Sequence, residues 1–187
     1  MTPPPPVARY GLPAVLLHLG AALLIFCTFP LGLYMVGLKL SPLKLKLYSY
    51  HKWIGVTVFL LMLARAAWRA GHAPPPLPAS VPAWERSLAG AAHLLLYLLL
   101  FAIPVTGWLF SSAAGFQTVY LGLVPLPDLV PKDKMLADLF RFVHMFLNYS
   151  LAAFVALHAA AALKHHFLDR DAVLARMVPG LKPRISP

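Results

Sequence analysis

The chain has 187 residues, of which 60% are hydrophobic and only 12% charged, with a formal charge of +10. A soluble surface needs about a quarter of its residues charged, so a water-soluble domain is excluded, and the length suits one compact unit over residues 1–187. Cys27 is the single cysteine and sits in an apolar run, which rules out a disulfide framework or a thiolate metal site. The basic residues fall between apolar runs, where they meet lipid head groups and anionic substrates rather than nucleic acid.

Pro3 to Pro6 open the chain with no basic stretch before the first apolar run, so that run is expected to be a retained anchor and not a cleaved signal. A helix needs about 20 apolar residues to cross the hydrocarbon, and four segments qualify. The first covers about 12–36, with Pro13 near its start and Pro30 as an expected kink. The second covers about 48–68, the third about 88–110 with Pro104 inside, and the fourth about 136–167. Helix is the state that satisfies the backbone in lipid, so the expected fold is all-α, an integral membrane four-helix bundle. No internal repeat stands out.

An even number of spans puts both termini on one side. That side holds Arg9, Arg65, Arg69, Arg86, Lys164, Arg170, Arg176, Lys182 and Arg184; the other holds Lys39, Lys44, Lys46, Lys52, Lys132, Lys134 and Arg141. The bias toward the terminus side predicts cytoplasmic termini.

Ionisable residues inside membrane helices are expensive and usually functional, and His18, His51, His144 and His158 all fall within spans. His144 and His158 are fourteen residues apart on one helix, which returns them to within about 40° of one face and separates them by about 21 Å. Depth then pairs His18 with His158 near the terminus side, and His51 with His144 near the other. Two imidazoles facing across a bundle core suit a haem iron with two axial nitrogens, and Gly55, Ala161 and Ala162 would leave room for the ring. The absence of Cys-x-x-Cys-His excludes covalent attachment, which leaves haem b. Helix-packing hydrogen bonds are the alternative, while a zinc site of two histidines would be incomplete.

Arg65 repeats the face of His51 fourteen residues on, with Arg69 one turn later, and both could hold haem propionates. Lys52 and Arg141 could serve the other haem in the same way. His93, His165 and His166 lie toward the terminus side with no opposing partner expected at matched depth; they are candidates for binding a quinone and moving its protons. His72 lies in a proline-rich loop and is expected to be incidental.

Leu157-His-Ala-Ala-Ala-Ala-Leu-Lys-His-His-Phe167, followed by Asp169-Arg-Asp171 and Arg176-Met177, resembles the fourth-helix signature of the prokaryotic cytochrome b561 family. Tyr50-His-Lys-Trp-Ile-Gly55 resembles its second-helix motif, and Ala92-His-Leu-Leu-Leu-Tyr97 with Pro104-x-x-Gly107 its third helix. The resemblance implies a dihaem quinone oxidoreductase of the bacterial inner membrane, with haem ligands at His18, His51, His144 and His158. It implies electron transfer between a periplasmic donor, superoxide being the first candidate, and ubiquinone. Lys39, Lys44 and Lys46 would attract such an anion. A subunit linking quinol to a separate periplasmic redox protein, docked on the loop over 115–133, and a non-redox four-helix membrane protein are the competing readings.

Overall fold

The computed structural model describes residues 8–78 and 81–182; Pro3 to Pro6 and Arg184 lie outside them. Four helices run through it: α1 (Leu12–Gly37), α2 (Pro42–Gly71), α3 (Ala83–Ala113) and α4 (Lys134–Phe167). Each is long and apolar enough to cross a membrane. The expected membrane four-helix bundle is therefore the observed architecture.

The helices overrun the apolar segments at several ends because capping, not hydrophobicity, sets where they stop. The Ser41 hydroxyl accepts from the Lys44 amide, and Pro42 in the first turn has no amide left to satisfy. Asp133 caps α4 by accepting from the Leu136 amide at 2.8 Å. Helix α3 starts at Ala83, five residues before the apolar run at Leu88 suggests, so its first turns reach out of the hydrocarbon.

The closest interfaces are α3 on α4 and α1 on α2, with α2 on α3 joining the two hairpins, while α4 makes no comparably close backbone approach to α1 or α2. What spans that wider gap is side chain. Ala21, Val58, Met62, Leu99, Leu100, Ile103 and Leu151 form a buried apolar layer across it. Leu151 lies midway between His144 and His158 on α4, so this layer separates two levels of histidine.

At the terminus end, three segments are pinned by one side chain. Arg176, in a 3-10 turn at Leu174–Arg176, is only 4% exposed. It donates from Nε to the Ala8 carbonyl at 3.2 Å and from Nη2 to the Pro75 carbonyl, and its guanidinium lies 5.7 Å from the Tyr10 ring centre. The Tyr10 amide returns a bond to the Arg176 carbonyl. His72 is stacked on Trp68 at 3.7 Å.

At the far end a short antiparallel hairpin, β1 (Val119–Tyr120) and β2 (Val124–Pro125), pairs Val119 with Pro125 and Tyr120 with Val124. Its turn needs left-handed backbone at Leu121 and Gly122, φ 55° and 72°, the arrangement that matches strand twist. Trp53 Nε1 donates to the Val119 carbonyl at 2.7 Å, and Thr57 and Tyr120 share a hydroxyl bond of 3.0 Å, which fasten the hairpin to α2.

Candidate functional site

Near the terminus side, His18 from α1 and His158 from α4 face each other with ring centres 6.2 Å apart and planes at 84°. Near the far side, His51 from α2 and His144 from α4 do the same at 6.3 Å and 82°. A metal bonded by both imidazoles at the usual length of about 2 Å sets their ring centres about 6 Å apart, so both pairs have the separation that an iron atom needs.

The far pair is built with matching parts from the two hairpins. A Cβ on Gly32 of α1 would lie 3.1 Å from His51 Cε1, and one on Gly107 of α3 would lie 3.0 Å from His144 Cε1. Each imidazole is thus backed into a notch that only glycine leaves open. Thr28, one turn before Gly32, meets His51 Nδ1 at 3.2 Å. Thr106, beside Gly107, lies 3.3 Å from His144 Nδ1. Each glycine also follows a proline inside its helix, Pro30 two residues before Gly32 and Pro104 three residues before Gly107.

His144 Nδ1 donates to the Ile103 carbonyl at 3.0 Å. A proton held on Nδ1 leaves the Nε2 lone pair free, which is how protein carbonyls orient metal-ligating histidines. The terminus pair differs. Arg65 Nη1 lies 2.9 Å from His18 Nδ1, and a guanidinium can only donate. The His18 proton therefore sits on Nε2 in this conformation, and ligation through Nε2 requires Arg65 to leave that nitrogen. Arg65 also lies 5.4 Å over the Tyr97 ring.

His93 corrects the expectation that it lacks a partner at matched depth. Its ring centre is 5.5 Å from that of His158. The reason is the early start of α3, which carries His93 ten residues, about 15 Å, into the helix. His165 and His166 diverge: His165 lies among carboxylates at the end of α4, whereas His166 is 6% exposed, its Nδ1 has no hydrogen-bond partner among the described residues, and its ring lies against Phe167. Lys52 donates to the Phe116 carbonyl at 2.9 Å, while Arg69 and Arg141 are exposed.

Sequence reasoning passed over Thr28, Gly32, Ile103 and Thr106; the in-helix prolines followed by glycine were the available signal. Gly55, expected to make room for the ring, faces open space, with no atom within 4 Å of an added Cβ.

The sequence model of the family described as prokaryotic cytochrome b561 matches residues 9–180. Cytochrome b561 homolog 2 of Escherichia coli (strain K12) is 37% identical over 172 residues, covering 91% of each chain. Cytochrome b561 homolog 1 of the same organism is 28% identical over 77% of this chain and 81% of its own. A protein named probable superoxide oxidase CybB of Yersinia pestis is 28% identical over 80% of this chain and 90% of its own. With four membrane-spanning helices and a family match over almost its whole length, the chain belongs to the prokaryotic cytochrome b561 family and is a multi-pass membrane oxidoreductase of the b-type cytochrome class.

Proposed function

We propose that the chain holds two haem b groups, one between His18 and His158 and one between His51 and His144, and moves electrons across the bacterial inner membrane from superoxide to ubiquinone. The observation carrying this reading is the repeated imidazole separation, 6.2 Å and 6.3 Å, at two levels of α4. Bound haem b supplies reversible one-electron carriage.

The residues of the chain do the rest. Ile103 and Thr28 orient His144 and His51. The layer around Met62 and Leu151 keeps the two levels apart. Arg65, once free of His18, and Arg69 are the cations available to propionates at the terminus level, and Lys52 and Arg141 at the other. The basic bias favours cytoplasmic termini, which makes the His51 level periplasmic.

On that periplasmic face Lys44 donates to the Val36 and Leu38 carbonyls, satisfying the C-terminal carbonyls of α1. Lys46 lies 5.7 Å over the Tyr50 ring. With Lys39 they form a positive field that draws a small anion toward the His51 level. The printed name of the Yersinia pestis relative, a probable superoxide oxidase, supports superoxide as that anion. Ubiquinone is reduced at the cytoplasmic level, on the side of His93, His165 and His166.

A separate periplasmic redox protein is the second reading, favoured by the apolar hairpin tip, where Leu123 is 80% exposed. Purified, haem-loaded protein given a superoxide source and ubiquinone tests the choice. Quinol formed in step with superoxide loss supports the proposal; no quinol without an added protein donor overturns it.

A further inference from the structure

The connection between α3 and α4 does not stand clear of the bundle. Lys52 Nζ donates to the Phe116 carbonyl at 2.9 Å, Trp53 Nε1 donates to the Val119 carbonyl at 2.7 Å, and the Thr57 and Tyr120 hydroxyls share a bond of 3.0 Å. At about 100° per residue, Lys52, Trp53 and Thr57 lie roughly 100°, 200° and 240° around α2 from His51. Val58 and Met62, by contrast, fall within about 20° of His51 and are buried. The β-hairpin therefore wraps the outer flank of α2, the side turned away from the core. Leu60, about 180° from His51 and 49% exposed, continues that flank deeper along the helix.

The depth of the β-hairpin follows from helix length. Helix α2 has 30 residues, about 45 Å of rise, against a hydrocarbon thickness of about 30 Å. Trp53 and Thr57 come eleven and fifteen residues after Pro42, about 16 Å and 22 Å along the axis. Were the whole excess of about 15 Å to project at the Pro42 end, both would still lie inside the hydrocarbon. Arg65 and Arg69 draw part of that excess out at the opposite end.

The β-hairpin has the composition such a place demands. Residues 116–127 include no charged side chain. Backbone amides in lipid must find their partners within the protein. The amides of Gly122, Leu123 and Leu126 donate to the Val119, Tyr120 and Thr118 carbonyls at 3.2, 3.0 and 2.8 Å, while Pro125 and Pro127 have no amide. Trp53, Tyr120 and Trp108, whose Nε1 donates to the Pro127 carbonyl at 3.0 Å, are the residue types that gather where lipid meets water. Beyond them Leu121, Leu123 and Val124 are exposed at the tip. In water they would form an uncovered apolar patch; on the flank of α2 they are continuous with the lipid-facing surface at Leu60.

We propose that this β-hairpin is inserted in the bilayer as a collar around α2, with Leu121, Leu123 and Val124 seated among the acyl chains of the leaflet on the His51 side. The occupant of its exposed face is lipid and not a water-borne protein. Only the four spans are needed for this, so the insertion holds or fails independently of haem and quinone.

The test uses the full chain in nanodiscs of phosphatidylethanolamine and phosphatidylglycerol, with the single cysteine removed by Cys27→Ala. A nitrobenzoxadiazole label is attached through Leu123→Cys or Val124→Cys, both exposed positions, with Leu60→Cys as the lipid standard and the exposed Lys182→Cys as the water standard. Quenching is read with nitroxide on the acyl chains and with iodide in the buffer. Labels at 123 and 124 are expected to be quenched by the acyl nitroxide as strongly as the label at 60, and several-fold less by iodide than the label at 182. Iodide quenching equal to that at 182 overturns the insertion and leaves the tip to a partner from the aqueous phase. Protection from both quenchers, which means that a second protein surface covers the tip, overturns it as well.

Discussion

Gly107 and His144 are in contact so close that a single methyl group on the glycine would lie 3.0 Å from imidazole Cε1. This contact, with its counterpart between Gly32 and His51 at 3.1 Å, fixes the direction in which each far-side imidazole points. Forcing a methyl into such a site costs about 1–3 kcal/mol. Gly107→Ala and Gly32→Ala are each expected to lose the haem proposed between His51 and His144 while keeping the one proposed between His18 and His158. A pyridine haemochrome assay would read about one haem per chain; two in both variants would show that the notches do not matter.

Arg65 contributes a positive charge 2.9 Å from His18. A nearby cation favours the reduced, less positive iron. Arg65→Gln should therefore lower the midpoint potential of one haem and leave the second unchanged in a spectroelectrochemical titration. Equal shifts in both would mean that Arg65 does not belong to the terminus level.

Arg176 holds the Ala8 and Pro75 carbonyls from a buried position. Arg176→Ala leaves both without that donor, at a cost of about 1–3 kcal/mol for each group left unpaired. The variant should melt earlier and be cut faster by protease near residues 8–10 and 73–78, with its haem spectrum intact. Wild-type protease resistance would contradict the pinning role.

The steering field proposed for Lys39, Lys44 and Lys46 predicts an effect that fades as salt rises. Lys39→Glu and Lys46→Glu should slow haem reduction by superoxide a few-fold at low ionic strength and little at high. Lys44→Gln should in addition lower stability, because Lys44 caps α1. Stopped-flow rates across a salt series check both, and salt-independent rates would remove the steering argument.

The depths of His18, His51, His144 and His158 were legible because helical rise converts residue spacing directly into distance along a helix. His144 and His158 on one face of α4, and the levels of His18 and His51, follow from that arithmetic. What backs each ring was not legible. Thr28 and Gly32 matter only because α1 turns that face to α2, and Ile103 only because its carbonyl lies under His144. A carbonyl has no signature in sequence, which also hid the Arg176 pin. The level of His93 was misjudged because the apolar pattern marks where lipid begins and not where α3 begins.

The haem content of the purified wild-type protein, set beside that of the four single histidine variants, is the most direct check on the two paired levels. The account predicts about two haem b per chain in the wild type. Removing His18 or His158 should cost the same one haem, and removing His51 or His144 the other. A wild-type protein without haem from haem-replete cells, or four variants that each lose both haems, would contradict it.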